Sequence, residues 1–310
     1  MSKSKMIGYP SIPALNPNSG KDWLYNDNYK WYIEEKLDGS QLSFMLNDDG
    51  ELNFYCRNRP AGKNNSVFSK SIDMLQLLKP KMKPNIMYHG ESIIKPRHNT
   101  VTYDRVPKYY WIMYDVQLPD KTFLNRPLVE HFAKELGVEV VPVLFNNAEE
   151  QTTISAIEIA QDFISKIEAG ELESYLGGIP EGVVIKHPKF ESDNSTFSAT
   201  KLKVVTNKFK EAHMAKKPKN LNTESDFCSW LGEQFNTQAR FHKAYQHCRD
   251  RDQLTGKKEK DIYKIVQDLD QDFEDEWQEL CKQYLWAEYK DKIQKSARKD
   301  FSDWVVDNYK

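Results

Sequence analysis

The chain has 310 residues, 39% of them hydrophobic, 12% aromatic and 29% charged, a balance that excludes an intrinsically disordered protein, in which aromatics are scarce. A formal net charge of −2 excludes a strongly basic chain, so any nucleic-acid contact must use a local basic surface rather than overall charge. Four scattered cysteines with no Cys-x-x-Cys pair argue against a zinc site or a disulfide scaffold; with no 18-residue apolar run and no apolar leader, the protein is expected to be cytoplasmic, intracellular and without a membrane partner.

In chain order, the polar stretch Glu34-Glu35-Lys36-Leu37-Asp38-Gly39-Ser40 reads as a turn closing a strand. Gln41–Leu46, Tyr109–Tyr114, Val138–Leu144 and Gly182–Lys186 are β-branched or aromatic runs bounded by Asp-Gly, Pro or Asn, and predict strands. Asp48-Asp49-Gly50 predicts a hairpin turn, and apolar residues at helical spacing predict helices over Leu128–Leu136 and Ile154–Ile167. All fourteen prolines and eleven of thirteen glycines lie at or before Pro218, which marks a composition boundary between a mixed α+β domain, residues 1–218, and a small all-α C-terminal domain, residues 219–310. Past the boundary, Ile262, Ile265, Val266, Leu269, Phe273, Trp277, Leu280 and Tyr284 recur at steps of three and four, the pattern of a helix with one buried face. The acidic run Asp268–Glu279 is then its solvent face. Weaker spacing over Phe227–Tyr245 and Trp286–Tyr309 predicts three or four helices in all, joined near Thr255-Gly256.

Five segments follow Lys36-x-Asp38-Gly39 at intervals: Cys-Arg57-Asn, Tyr-His-Gly-Glu91-Ser, Trp-Ile-Met-Tyr114-Asp115-Val, Glu181-Gly-Val-Val-Ile-Lys186 and Lys201-Leu-Lys203. The series, in that order, resembles the motifs of the covalent nucleotidyltransferase superfamily, which contains ATP-dependent DNA ligases, RNA ligases and mRNA-capping guanylyltransferases. The resemblance implies a nucleotidyltransferase (ATP-grasp-like ligase) catalytic domain of antiparallel sheets and helices, an α+β fold. It also implies ATP as AMP donor, Mg²⁺ or Mn²⁺ as metal, and Lys36 as the nucleophile.

A lysine that attacks the α-phosphate must be neutral, far below its ordinary pKa near 10.4. Nearby positive charge from a metal, Lys201 and Lys203 would disfavour the ammonium form and offset charge developing on the phosphate. On a strand, the two-residue spacing turns Lys201 and Lys203 the same way, toward one ligand; taken alone, the tripeptide reads as a solvated lysine-rich face. Glu181, at the mouth of its strand, is placed to hold Mg²⁺ or is a turn glutamate. By the resemblance Glu91 accepts a hydrogen bond from the ribose, and Tyr114 stacks on the base where the family more often has phenylalanine. Arg57, or its neighbour Arg59, meets the ribose or 5′-phosphate. Glu35 corresponds to a base-reading position, Asp38 assists the later sealing steps, and Lys186 belongs to the nucleotide site. Asp115 orients the lysines or caps a buried turn; His89 and His98 lack metal-ligand spacing and receive no role.

Residues 201–219 hold seven lysines against one glutamate, the best basic patch for tracking phosphates, or else a solvated linker; Lys95, Arg97 and His98 lie in a loop that would add to it. DNA ligases and capping enzymes place an OB-fold after the Lys-x-Lys strand, whereas this tail is helical, which resembles the RNA ligases of the phage double-strand-sealing type. Lys208-Phe-Lys-Glu-Ala-His resembles the same family. The implied activity is that of an ATP-dependent RNA ligase, a monomer acting on RNA ends in nicked duplex or structured RNA. DNA ligase, guanylyltransferase and a non-catalytic nucleic-acid-binding protein stand as the alternatives. On this division the helical tail serves sealing, and removing residues 221–310 spares lysine adenylylation.

Overall fold

The structure, a computed structural model, describes residues 9–15, 24–25, 30–56, 59–62, 66–150, 152–187, 200–210 and 224–299. Its strands are β1 (Tyr32–Lys36), β2 (Ser40–Leu46), β3 (Leu52–Cys56), β4 (Arg59–Pro60), β5 (Met87–Ser92), β6 (Trp111–Gln117), β7 (Glu139–Val140), β8 (Val143–Asn146), β9 (Gly182–Lys186) and β10 (Lys201–Val205). They form an antiparallel sheet ordered β10-β9-β1-β8 and a second sheet ordered β4-β3-β2-β5-β6-β7, antiparallel except for the β6–β7 pair. The expected mixed α+β architecture with antiparallel sheets and C-terminal helices is present.

The period-2 alternation of side chains decides what each sheet face carries. In the first sheet Lys36 lies opposite Gly182, Glu34 opposite Val184, and Lys201 opposite Lys186. One face therefore presents Glu34, Lys36, Lys186, Lys201 and Lys203. The other sends Ile33, Val183, Ile185 and Leu202 against the helix Ala156–Ala169, which contributes Ala156, Ile157, Ala160 and Ile167. In the second sheet Leu42, Phe44, Tyr88, Trp111 and Met113 pack against helices Ser69–Gln76 (α1) and Arg126–Leu136 (α2) in the largest apolar cluster. Its opposite face carries Ser43, His89 and Asp115. Asp115 meets Lys186 and Lys201 across the gap, so the two apolar cores lie outside and a polar seam runs between the sheets.

The helices start and stop where local chemistry directs. Asn125 caps α2, its side-chain oxygen accepting the Leu128 N–H at 3.1 Å with Pro127 in the first turn, and Gly137 ends it at φ 75°. A short helix, α3 (Asn147–Glu150), precedes α4 (Ala156–Ala169), which opens on a reciprocal Ser155–Glu158 capping box. Two sequence expectations shift. Val138–Leu144 is not one strand: it breaks at Val141-Pro142, giving β7 to one sheet and β8 to the other, because proline lacks the N–H a ladder needs. The aromatic run from Tyr109 becomes extended only at Trp111, since Tyr109 and Tyr110 occupy a left-handed turn.

Beyond β10 the described chain is helical: α5 (Glu224–Glu233), α6 (Gln238–Asp250), α7 (Lys258–Asp272), a π-helical turn over Phe273–Trp277, and α8 (Gln278–Ala297). Two compact units result, one containing both sheets together with Tyr245–Thr255, the other the remaining helices. In the helical unit Phe273 and Trp277 pack with Phe235, Phe227 and Trp230 as the periodicity predicts. Asp268 and Asp272 do not face solvent, however; they are buried, while Ile262 and Val266 are exposed. For Asp272 a cationic neighbour from α6 compensates, the Lys243 ammonium lying 2.9 Å from its carboxylate, while Arg240 of the same helix donates to the Leu269 carbonyl at 3.2 Å.

Candidate active site

Lys36 ends β1, and the ladder sets it beside the first residue of β9, so Glu181 just before that strand comes alongside. Their ammonium and carboxylate lie 2.7 Å apart, with the lysine side chain 24% exposed. A side chain on Gly182 would strike the Val204 carbonyl, so glycine is what lets β9 begin this close to β10. Burial disfavours the charged form of Lys36, but Glu181, Glu91 and Asp38 outweigh it and the pKa is raised. Burial likewise raises Glu181 against the pull of Lys36, and pushes Glu91 up to about 8, with Glu181 and Asp38 adding repulsion. Lys36 is thus surrounded by carboxylates, not by the lysines expected to neutralise it.

Those lysines are engaged in the seam. Lys186, 2% exposed, lies 2.6 Å from Glu34, 3.2 Å from Asp115 and 2.9 Å from the Tyr114 carbonyl. Glu34 in turn pairs with Arg126 at 2.7 Å, and Lys201 with Asp115 at 3.1 Å. Signs alternate along this row from Arg126 to Lys201, which is how so many charges stay buried. Burial acts against ionised Asp115, yet Lys186 and Lys201 hold its pKa down to about 2; burial lowers Lys201 to about 8 against the pull of Asp115. The Tyr9 hydroxyl donates to Asp115, and the Lys201 ammonium sits 3.9 Å from the Phe123 ring centre.

Tyr114 owes its place to a bulge. Pairing of β5 with β6 runs His89 to Asp115 and then Gly90 to Met113, leaving Tyr114 as the extra residue. Tyr114 and Asp115 consequently both serve the seam: the Lys186 ammonium lies 5.8 Å from the Tyr114 ring centre, and the Tyr9 ring meets its edge at 4.7 Å.

Asp38 and Glu35 are each anchored to another loop. The Asp38 carboxylate accepts the Thr100 and Val101 N–H groups at 2.7 Å each, anchoring the 99–101 loop. Glu35, one residue from Lys36 and so on the opposite strand face, accepts from the Ser174 hydroxyl and from the Tyr175 N–H at 2.9 Å. Lys203 shares the Lys36 face and pulls the Glu181 pKa down, while Lys201 is turned to Asp115, so the two ammonium groups do not converge on one partner. Arg57, together with residues 211–219 of the basic run, lies outside the described residues; Arg59 is exposed. Sequence reasoning missed Glu34, which the same period of two that joins Lys201 to Lys203 would have placed beside Lys36. It also missed Arg126 and Tyr9, whose partners lie 92 and 106 residues away and leave no local signal. His89 is buried and held neutral, its pKa lowered to about 3 by burial, with its Nδ1 2.6 Å from the Ser43 hydroxyl.

Among the described residues no group of three or more Asp, Glu, His or Cys side chains is arranged around one metal position. Glu181 nevertheless supplies hard carboxylate oxygens beside Lys36, a donor suited to an ion that takes most of its shell from phosphates and water.

A sequence model described as RNA ligase matches residues 29–205, the span that contains every one of these side chains except Tyr9. A search of curated proteins gives no match. Among solved structures, an archaeal ATP-dependent RNA ligase (form 1) is similar at 15% identity, with a TM-score of 0.44, over 84% of this chain and 64% of that one. A Naegleria gruberi RNA ligase with PPi is similar at 18% identity, with a TM-score of 0.43, over 65% of this chain and 58% of that one. This chain covers less than two thirds of the length of either.

Proposed function

Because the chain belongs to the RNA ligase family, as its match over residues 29–205 establishes, we propose that it is an ATP-dependent RNA ligase that joins 3′-hydroxyl and 5′-phosphate ends. The observation that carries this reading is the 2.7 Å contact of Lys36 with Glu181, with Glu91 near enough to influence the lysine's charge. Lys36 Nζ, once deprotonated, attacks the α-phosphorus of ATP; the P–N bond forms, the bond to the β-phosphate oxygen breaks and pyrophosphate leaves. Glu181, 2.7 Å from Nζ, holds the lysine in place, and the lysine proton leaves to solvent. A 5′-phosphate oxygen of RNA then displaces Lys36 from the adenylate, and a 3′-hydroxyl displaces AMP to close the phosphodiester.

On this reading Tyr114 stacks on the base, contributing about 1 to 3 kcal/mol, Glu91 engages the ribose, and Lys201 and Lys203 meet the phosphate charge. Lys186 holds Asp115 and the Tyr114 backbone in place. Arg57 would meet the ribose or 5′-phosphate. Glu35 reads the base through its strand position, and Asp38 shapes the turn that later steps require. Mg²⁺ or Mn²⁺, when bound, offsets phosphate charge, and Glu181 is its ligand on this chain. We assign adenylylation to residues 1–218 and RNA-end engagement to the helical residues 219–310, in a monomer acting on nicked duplex or structured RNA in the cytoplasm. Among the described residues, no helix is long and apolar enough to cross a membrane.

The test is covalent labelling of the purified protein, stripped of bound AMP, with α-labelled ATP and in parallel α-labelled GTP, beside Lys36→Ala. Label from ATP alone that is lost in the variant, followed by sealing of an RNA nick, supports the proposal. Label from GTP would turn the reading to a guanylyltransferase, sealing confined to an all-DNA nick to a DNA ligase, and no label from either to a non-catalytic binding protein.

A further inference from the structure

Arg249, in the last turn of α6, is 209 residues from Ser40 in sequence and in direct contact with it. Its Nη2 donates to the Ser40 hydroxyl at 3.2 Å and to Asn99 Oδ1 at 2.8 Å, and its Nη1 donates to the His98 carbonyl at 3.4 Å. Asp250 holds the fork from behind, accepting from Nε at 3.0 Å and from Nη2 at 2.8 Å. Asn99 passes the contact on. With its oxygen committed to Arg249, its amide nitrogen faces the nucleophile turn, donating to the Gly39 carbonyl and, at 3.3 Å, to the Asp38 carboxylate. His98 braces the same turn: its Nδ1 accepts the Ile94 N–H at 3.2 Å, so the neutral ring carries its proton on Nε2 and donates to the Ser40 hydroxyl at 2.9 Å.

We propose that Arg249 is a positioning residue for lysine adenylylation, fixing the Asn99 amide and through it the Lys36-Leu37-Asp38-Gly39-Ser40 turn that aims the nucleophile. The inference rests on the ligase reading above and reverses one part of it: residues 245–255, although beyond the composition boundary, serve the first chemical step and not sealing alone. A planar fork is what the site needs, since a single ammonium on a flexible stem cannot hold Ser40, Asn99 and Asp250 in one geometry. Without the fork the amide is free to turn over, and a displacement of the order of 1 Å at a nucleophile costs about a hundredfold in rate.

The experiment is single-turnover transfer of label from α-labelled ATP to full-length wild type, Arg249→Gln, Arg249→Lys, Asn99→Ala and the Gln/Ala double variant, across ATP concentrations, with a thermal melt of each. We expect Arg249→Gln and Asn99→Ala each to lower the maximal labelling rate by about tenfold or more with half-saturating ATP little changed, Arg249→Lys to fall between Gln and wild type, and the double variant to be no slower than the slower single one. A purely structural role would lower melting temperature without that split. Wild-type labelling rates in Arg249→Gln, or losses that multiply in the double variant, overturn the proposal. Should Arg249→Gln not fold, Arg249→Lys decides, since it keeps the charge beside Asp250 and removes the fork that fixes Asn99. A wild type that takes no label overturns the ligase reading itself, an outcome distinct from a labelled wild type with an indifferent Arg249.

Discussion

Lys36 and Glu181, 145 residues apart in sequence, form an ion pair across 2.7 Å, the ammonium donating to the carboxylate. The contact fixes the ammonium where a nucleophile is wanted and at the same time keeps it in its unreactive form, because Glu181 is the strongest influence raising the Lys36 pKa.

Labelling by ATP should therefore accelerate with rising pH until Lys36 loses its proton. Glu181→Gln removes the attraction, so the rising limb of the pH–rate profile is expected to move to lower pH. The plateau is expected to fall by about 10²-fold, because the carboxylate that positions the nucleophile is gone. A limb that stays in place would show that Glu181 does not govern the lysine.

Glu91, pushed up to about 8 mainly by burial, holds its proton in the folded state through a range where the unfolded chain has released it. The folded state then binds more protons, so this group lowers stability progressively as pH rises from about 4.3 to about 8. Glu91→Gln removes that dependence. Melting curves should show the variant gaining on wild type as pH goes from 5 to 8, while its labelling by ATP declines; a constant difference in stability over that range would contradict the assignment.

Asp115 compensates two buried ammonium groups, and Asp115→Asn is expected to cost about 3 to 5 kcal/mol in denaturant unfolding at pH 7. The wild-type contribution is present above about pH 3.9 and lost as pH falls toward about 2, the depressed value in the fold. Adding Lys201→Met to Asp115→Asn should recover part of the loss by removing one stranded charge. Simple addition of two losses would mean the pair is not coupled.

A methyl group on Gly39 would lie 2.6 Å from Glu91 Cγ and 2.7 Å from the Ser92 carbonyl. Gly39→Ala is expected to destabilise by about 1 to 3 kcal/mol through overpacking. It should also weaken ATP use by displacing Glu91, read as a rise in half-saturating ATP in the labelling assay.

What the sequence disclosed was whatever lies within one element. The Lys-x-Lys spacing put Lys201 and Lys203 on one face, and the strand at Gly182 put Glu181 at its mouth, because period-2 geometry is local. Strand pairing is not local. The expectation that Asp115 orients lysines fits its pairing with Lys186 and Lys201, but nothing near Lys201 announces that its ammonium will lie on Asp115 and not serve Lys36. The bulge that turns out Tyr114 depends on how β5 and β6 register, which one strand alone cannot reveal. Asp272 misled for the same reason: an acidic stripe is solvated by default, and Lys243 from another helix makes this burial tolerable.

The reach of Arg249 also sets a timetable. Strands β1 and β2 leave the ribosome early, but the turn between them acquires its last hydrogen bonds from a residue made 209 positions after Ser40. At about 5 to 20 residues per second, the turn bearing the nucleophile waits roughly 10 to 40 s for its clamp. The sheets can assemble during synthesis, yet the turn that aims Lys36 is completed only when most of the chain exists, so a nascent fragment ending before residue 249 holds the reactive lysine without its brace.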